Sequence, residues 1–242
     1  MKPFSSLFGI DHASVQKNCL LLPFLPPGAL DSFNIKKLSS GVVFASANTD
    51  GITIIRTGMG AGFVGDATLY LEDTPCENIF FLGSCGLVNK TLNLDIGDLV
   101  LPTNAFGFES FSDILNNRLQ TPIPAQPDAW LTSELLNTSA LHAHPCGCVS
   151  FASLHEEEKF LPLFQQVKAD VIEMECAAFF GAAKRIQRKA AALLFVSDIP
   201  EIKYFHAVLS PEDKKKLANG VSQACKAILA FAQKDPLNSF SA

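Results

Sequence analysis

The chain has 242 residues, 48 % of them apolar and 18 % charged, with a net charge of −5. Its basic residues are scattered, which leaves no electrostatic footprint for nucleic acid, and its length allows one core that needs no disulfide or metal staple. So oily a balance asks for extra buried surface, which either a subunit interface or a generous core would supply.

The first 18 residues lack a continuous apolar stretch and carry Asp11 and His12, so they do not read as a signal peptide; residues 1–17 are expected to be a peripheral extension. Strands are predicted at Cys19–Phe24, Gly41–Ala45 and Ile52–Arg56, then a helix at Gly62–Leu71 and strands at Ile79–Leu82 and Asp98–Leu101. Leu115–Pro127, with three prolines, reads as a surface excursion. A helix at Ala129–Ser139, a strand at Gly147–Phe151, helices at Glu158–Val167 and Glu175–Gln187 and a strand at Ala192–Val196 follow. The last helix, Pro211–Gln233, opens with Ser210 as N-cap, Pro211 at the first position and acids in the first turn; Asp235–Ala242 is expected to fray. Alternating strands and helices of this kind predict a single α/β domain over 1–242, its mixed sheet covered by helices. The longest apolar runs, Cys19–Leu25 and Ala190–Val196, are too short to span a membrane, so a cytoplasmic protein is expected.

Seven cysteines, an odd number, fall mostly in apolar runs and read as free buried thiols in a reducing compartment. Cys146-Gly147-Cys148 is too tight for a zinc knuckle, and no second pair completes a tetrahedral site, so no metal and no cofactor is expected.

Four segments carry residues suited to chemistry. Arg56–Gly62 is a glycine-rich strand-to-helix turn, either a plain tight turn or a place where backbone N–H groups such as that of Gly60 meet a ligand. Gly83-Ser84-Cys85-Gly86, followed by Asp95-Ile96-Gly97-Asp98, is either a crowded sheet corner or the small-residue wall of a flat pocket. Glu173-Met174-Glu175 brackets a Met with two acids at a predicted helix start. They either complement the helix dipole or accept hydrogen bonds from vicinal hydroxyls. Ser197-Asp198 ends an oily strand, where an Asp either caps the turn or acts as a partly desolvated acid at the carboxyl edge of the sheet.

In this order and at these separations the segments resemble the nucleoside phosphorylase/nucleosidase superfamily, over roughly Gly51 to Ala232. The resemblance implies a central sheet curling toward a barrel, usually in a homodimer or a larger ring of dimers, and a small-molecule purine nucleoside as substrate. It assigns Asp198 as the acid that protonates the purine N7 and Glu175 as the carboxylate on the ribose hydroxyls. It also places Met174 against the sugar, Phe151 stacked on the base, and Ser84 near the base. Cys85, Gly86, Glu173, Ser197 and Gly60 complete the expected substrate-binding set. Phosphorylases of this group commonly carry an Arg two residues before the Gly-Ser; here that position is Phe81, which cannot bind a dianion. Arg56 and Lys90 are the candidate substitutes, and hydrolysis is the favoured expectation. The Glu with which nucleosidases activate water after the first strand is also missing, which leaves Asp31, Glu175 in a double role or a barely assisted attack, and keeps a catalytically weak purine-binding relative as an alternative beside phosphorolysis. Among nucleosidases, the divergent N-terminus points toward futalosine hydrolase, an enzyme of menaquinone biosynthesis, or its 6-amino counterpart over methylthioadenosine/S-adenosylhomocysteine nucleosidase.

Overall fold

In the computed structural model, which describes residues 4–138, 141–205 and 207–234, nine strands form one sheet. They are β1 (Asn18–Leu22), β2 (Ser39–Ser40), β3 (Ala45–Thr49), β4 (Ile52–Arg56), β5 (Asn78–Leu87), β6 (Leu99–Phe108), β7 (Ala143–Phe151), β8 (Val171–Glu173) and β9 (Lys189–Asp198). The helices are α1 (Phe4–Phe8), α2 (Ala29–Ser32), α3 (Ala61–Leu69), α4 (Phe111–Leu115), α5 (Ala129–Leu136), α6 (Glu157–Gln166), α7 (Cys176–Arg185) and α8 (Pro211–Lys234).

The strands run in the order β2-β3-β4-β1-β5-β8-β7-β6-β9, and β9 returns to pair with β5. That last pairing closes β5, β8, β7, β6 and β9 into a barrel, with the remaining strands as an open extension. Closure removes two edges that would otherwise need protection. β1, β5 and β9 run parallel and are buried at nearly every position, which is why they read as continuous apolar runs. On one face Phe81, Cys85, Ala192 and Leu194 pack under α3 and α7 through Val64, Ala67, Phe179 and Phe180. On the other face Phe80, Leu82, Leu193 and Phe195 pack under α5 and α8 through Leu131, Leu135, Val221 and Ile228. All seven cysteines are buried free thiols. Among the described residues no helix is long and apolar enough to cross a membrane.

Two expectations are corrected. Gly41–Ala45 is not a strand: residues 41–44 form the connection between β2 and β3. Val42 and Phe44 donate their N–H groups to Ser6 O at 2.8 Å and Leu7 O at 2.9 Å, so this backbone pairs with the N-terminal segment instead of the sheet. A Cβ on Gly41 would lie 2.1 Å from Leu7 O, so only glycine permits the approach. For the same reason the segment 1–17 is no peripheral extension over its described part. Phe8 is fully buried, stacked on Phe4 and against Phe44. β2 and the three-residue β8 escape the sequence pattern because they are too short to show a period. Residues 115–127 are largely irregular, as expected, and the 235–242 segment expected to fray lies outside the described residues.

Candidate active site

The site begins at the N-terminus of α7, where orphan N–H groups need partners. Glu173, at the end of β8, accepts from Glu175 N at 2.6 Å and Cys176 N at 2.8 Å through Oε2, and from the Ser150 hydroxyl at 2.5 Å through Oε1. Ser150 Oγ in turn accepts from Ala177 N at 2.8 Å, and Glu109 Oε1 accepts from Ala178 N at 3.0 Å. Four consecutive N–H groups are thus satisfied from β7, β8 and the turn after β6, and none by the side chain of the N-cap residue itself, Glu175. The division of labour inside Glu-Met-Glu follows. Glu173 is the cap, its oxygens committed, while the Glu175 carboxyl is released to face elsewhere. Cys148, Glu173 and Cys176 form the one group of metal-ligand types among the described residues, and those commitments leave Glu173 serving the helix.

Glu175 reaches across to the glycine turn that opens α3, where Gly60 N donates to its Oε1 at 2.5 Å. The left-handed φ of +98° at Gly60 aims that N–H. Burial, then the charge of Glu173, pushes the Glu175 carboxyl up to about 8. Asp198 lies at the other wall. Val196 pairs with Cys85 on β5 but Asp198 pairs with Gly86, so Ser197 is one residue too many. Such a bulge re-aims side chains, and here both Ser197 and Asp198 line the cavity. Asp198 Oδ2 would lie 2.8 Å from a Cβ on Gly86, so the missing side chain at Gly86 is what seats the acid. Asp198 is only 6 % exposed, and burial raises its pKa, opposed by the Ser197 hydroxyl 2.7 Å from Oδ1.

These groups bound one cavity at the carboxyl ends of β5 and β9. It gathers most of the residues singled out in the sequence: Ser84, Cys85, Gly86, Phe151, Glu173, Met174, Glu175, Ser197 and Asp198. Phe151 is backed by Phe160 and Phe164, with ring centroids at 5.3 and 5.0 Å. Gly60 contributes through its bond to Glu175. Asp31 is not brought in: it is an exposed residue of α2 and does not line the cavity, which corrects its candidacy as a water activator. The end of β1 supplies Pro23 and Phe24 instead. Neither candidate cation arrives either. Arg56 is exposed at the end of β4, and Lys90 pairs with Glu201 at 2.6 Å beside a separate cavity. Phe81 is fully buried against Phe179. The Asp95–Asp98 segment has a structural duty: Asp95 pairs with Lys203 and Lys216 at 2.8 and 2.9 Å, which holds its carboxyl well below the usual range. Gly97, meanwhile, lets α8 approach at Lys216 and Leu217, where a Cβ would lie 2.4 Å from the Lys216 carbonyl.

Sequence reasoning missed Met59, Leu154, Glu157 and Phe205, all of which line the cavity. Among its described lining residues are four acids, Glu157, Glu173, Glu175 and Asp198, and no Lys, Arg or His.

Known proteins share this architecture. A purine nucleoside phosphorylase from Toxoplasma gondii superposes with a TM-score of 0.74 at 19 % identity, covering 93 % of this chain and 95 % of that one. The 5′-methylthioadenosine/S-adenosyl homocysteine nucleosidase of Campylobacter jejuni gives 0.73 at 15 %, covering 90 % and 99 %. By sequence, a guanosine phosphorylase from Halorubrum lacusprofundi is 27 % identical over 160 residues, a match spanning 64 % of this chain and 64 % of its own. The model of the phosphorylase superfamily matches residues 25–233, and the chain belongs to that family of nucleoside-processing enzymes.

Proposed function

We propose that this chain hydrolyses the N-glycosidic bond of a purine nucleoside, with Asp198 as general acid. The observation that carries the reading is the Asp198 carboxyl, nearly buried on the cavity wall and raised above its ordinary range by that burial. A proton donor that works near neutral pH needs such a shift. In the proposed reaction the Asp198 proton passes to N7 of the base, the C–N bonding electrons leave with the base, and the sugar becomes an oxocarbenium-like cation. Glu175 stands at the sugar end, where its carboxylate accepts ribose hydroxyls and stabilises the developing charge. That charge in turn favours the ionised form of Glu175 over the protonated form of the empty site. Water adds to the anomeric carbon and its proton goes to Glu175, the carboxyl at that end not already committed to a helix cap. Phe151 flanks the base and Met174 the sugar.

Water is favoured over phosphate by what the cavity lacks: its described lining residues include four carboxyls and no cation to hold a dianion. Phosphorolysis is the second reading, favoured by the 27 % identity to a guanosine phosphorylase. Futalosine, aminodeoxyfutalosine, methylthioadenosine, S-adenosylhomocysteine, inosine and guanosine form the panel that decides. Chromatography of purified protein with each nucleoside is expected to show free base in phosphate-free buffer; release only on adding phosphate would transfer the chain to the second reading. We further propose a homodimer, in keeping with the 48 % apolar composition, for which sedimentation should give twice the 26.1 kDa chain mass.

A further inference from the structure

Of three consecutive acids at the start of α6, only the middle one faces the cavity. Glu156 is engaged with His155 at 2.7 Å and Lys159 at 3.5 Å, and Glu158 is exposed and lines only an adjoining cavity. Glu157 lines the same cavity as Asp198, and again lines the adjoining one, where Leu154, Asp198 and Phe205 are also shared. Among the described residues no hydrogen-bond or ion-pair partner reaches its carboxyl. A half-buried acid with no partner is expensive to maintain unless something else satisfies it. The cavity has a direction. Glu175 lines only the first cavity whereas Asp198 and Glu157 line both, so with Glu175 at the sugar, as in the proposed reaction, Glu157 lies on the other side of Asp198. Next to N7 on the rim of a purine come the C6 substituent and then N1. A base whose N7 meets Asp198 therefore turns its C6–N1 edge toward whatever lies past Asp198 on the side away from the sugar.

We propose that Glu157 is a specificity-determining residue that hydrogen-bonds the C6–N1 edge of the purine while Asp198 addresses N7. This rests on the hydrolase reading above. The chemical fit is specific: a neutral carboxyl offers one donor and one acceptor side by side. The lactam edge of a 6-oxopurine (C6=O, N1–H) and the amidine edge of a 6-aminopurine (N1, C6–NH2) each offer the complement. Burial, then the charge of Asp198, pushes the Glu157 carboxyl up to about 7, so the neutral form is available at physiological pH. The ligand class is a purine with a hydrogen-bonding C6 substituent. Purine riboside, which has hydrogen at C6, can make only one of the two bonds.

The test is a selectivity ratio: kcat/KM for inosine, and separately for adenosine, each divided by that for purine riboside. Glu157→Ala is expected to lower the ratio for inosine or adenosine by about 10-fold to 100-fold, mostly through KM. Glu157→Gln, which keeps a donor beside an acceptor, should restore most of it. The thermal midpoint of each variant is the control, because an acid that merely complements the α6 dipole would move the midpoint and leave the ratio alone. Unchanged ratios for both nucleosides would overturn the assignment, as would equal losses on all three. Should no purine nucleoside be cleaved, the hydrolase reading fails separately. Calorimetry of hypoxanthine and adenine against wild type and Glu157→Ala then decides the inference alone, with weaker binding of either base by the variant expected and equal affinities counting against it.

Discussion

The two ends of the cavity are built differently. At the sheet edge, Glu173, Ser150, Glu175 and Gly60 hold one another through bonds of 2.5–2.8 Å, and Asp198 is seated by a bulge against a glycine. At the α6 rim, Glu157 stands unpartnered among the described residues, beside Leu154 and Phe205, which are 48 % and 54 % exposed. The contrast teaches where precision is needed. Groups that must meet a transition state sit on strands whose register is fixed by a closed barrel, whereas groups that sort ligands sit on a helix start and a loop that can differ without disturbing the chemistry.

That division is open to attack, and the largest effect is expected at its rigid end. Asp198→Asn should retain the fold and lower kcat by about 10²-fold to 10⁴-fold, the range for loss of a general acid; steady-state rates equal to wild type would remove Asp198 from the mechanism. Next comes Gly86→Ala, whose new methyl would collide with the Asp198 carboxylate at 2.8 Å and with Ile172 at 3.1 Å. Displacing the acid should reduce kcat by about 10-fold to 10²-fold with the midpoint nearly unchanged. A variant that loses stability but not turnover per folded molecule would show that the contact is only packing. Glu173→Gln replaces one cap oxygen with a donor facing donors, so chemical denaturation should show a loss of about 1–3 kcal/mol. A stable variant with altered KM alone would instead make Glu173 a ligand-binding group. The smallest effect concerns pH. Glu157 and Glu175 have folded values of about 7 and 8 against an ordinary 4.5. Between pH 4.5 and 8 the folded chain therefore holds more protons than the unfolded one, and stability must fall as pH rises through that window and level off above it. Thermal midpoints measured from pH 5 to 9 should trace that decline, and Glu175→Gln should make it shallower. A slope the substitution leaves untouched would assign the pH dependence to other groups.

The rigid end was also the legible one. Asp198 after an oily strand, Glu-Met-Glu at a helix start and the Gly83–Gly86 run announce themselves because a polar or small residue there interrupts a strong apolar pattern. Most strands and all five long helices lie within a few residues of where periodicity puts them. The strands β5, β6 and β9 run on by two to seven residues past the predicted ends because polar and glycine positions at the barrel mouth still pair. The unequal roles of Glu173 and Glu175 are not legible, since the donors that bind Glu173 come from Ser150, 23 positions away, and from the start of the helix that follows it. Asp31 is near the end of β1 in sequence alone, and α2 turns it to solvent. Glu157 was hidden inside a run of acids that reads as a solvated helix start. One signal did exist: it shares a helical face with Phe160, Leu161 and Phe164, of which Phe164 is fully buried, and a carboxylate on such a face needs a reason.

A last consequence follows from the hydroxyl of Ser197, which lies 2.7 Å from Asp198 Oδ1 and 3.2 Å from the carbonyl of Cys85. An acid that gives up its proton asks opposite things of its neighbour before and after. While neutral it needs an oxygen to lean on, and once anionic it needs a hydrogen. A serine rotor supplies both by turning its single proton from the carbonyl to the carboxylate, with no heavy atom displaced. In the proposed reaction a torsion alone thus matches the partner to either charge state, while the proton itself is regained from water after the base has left.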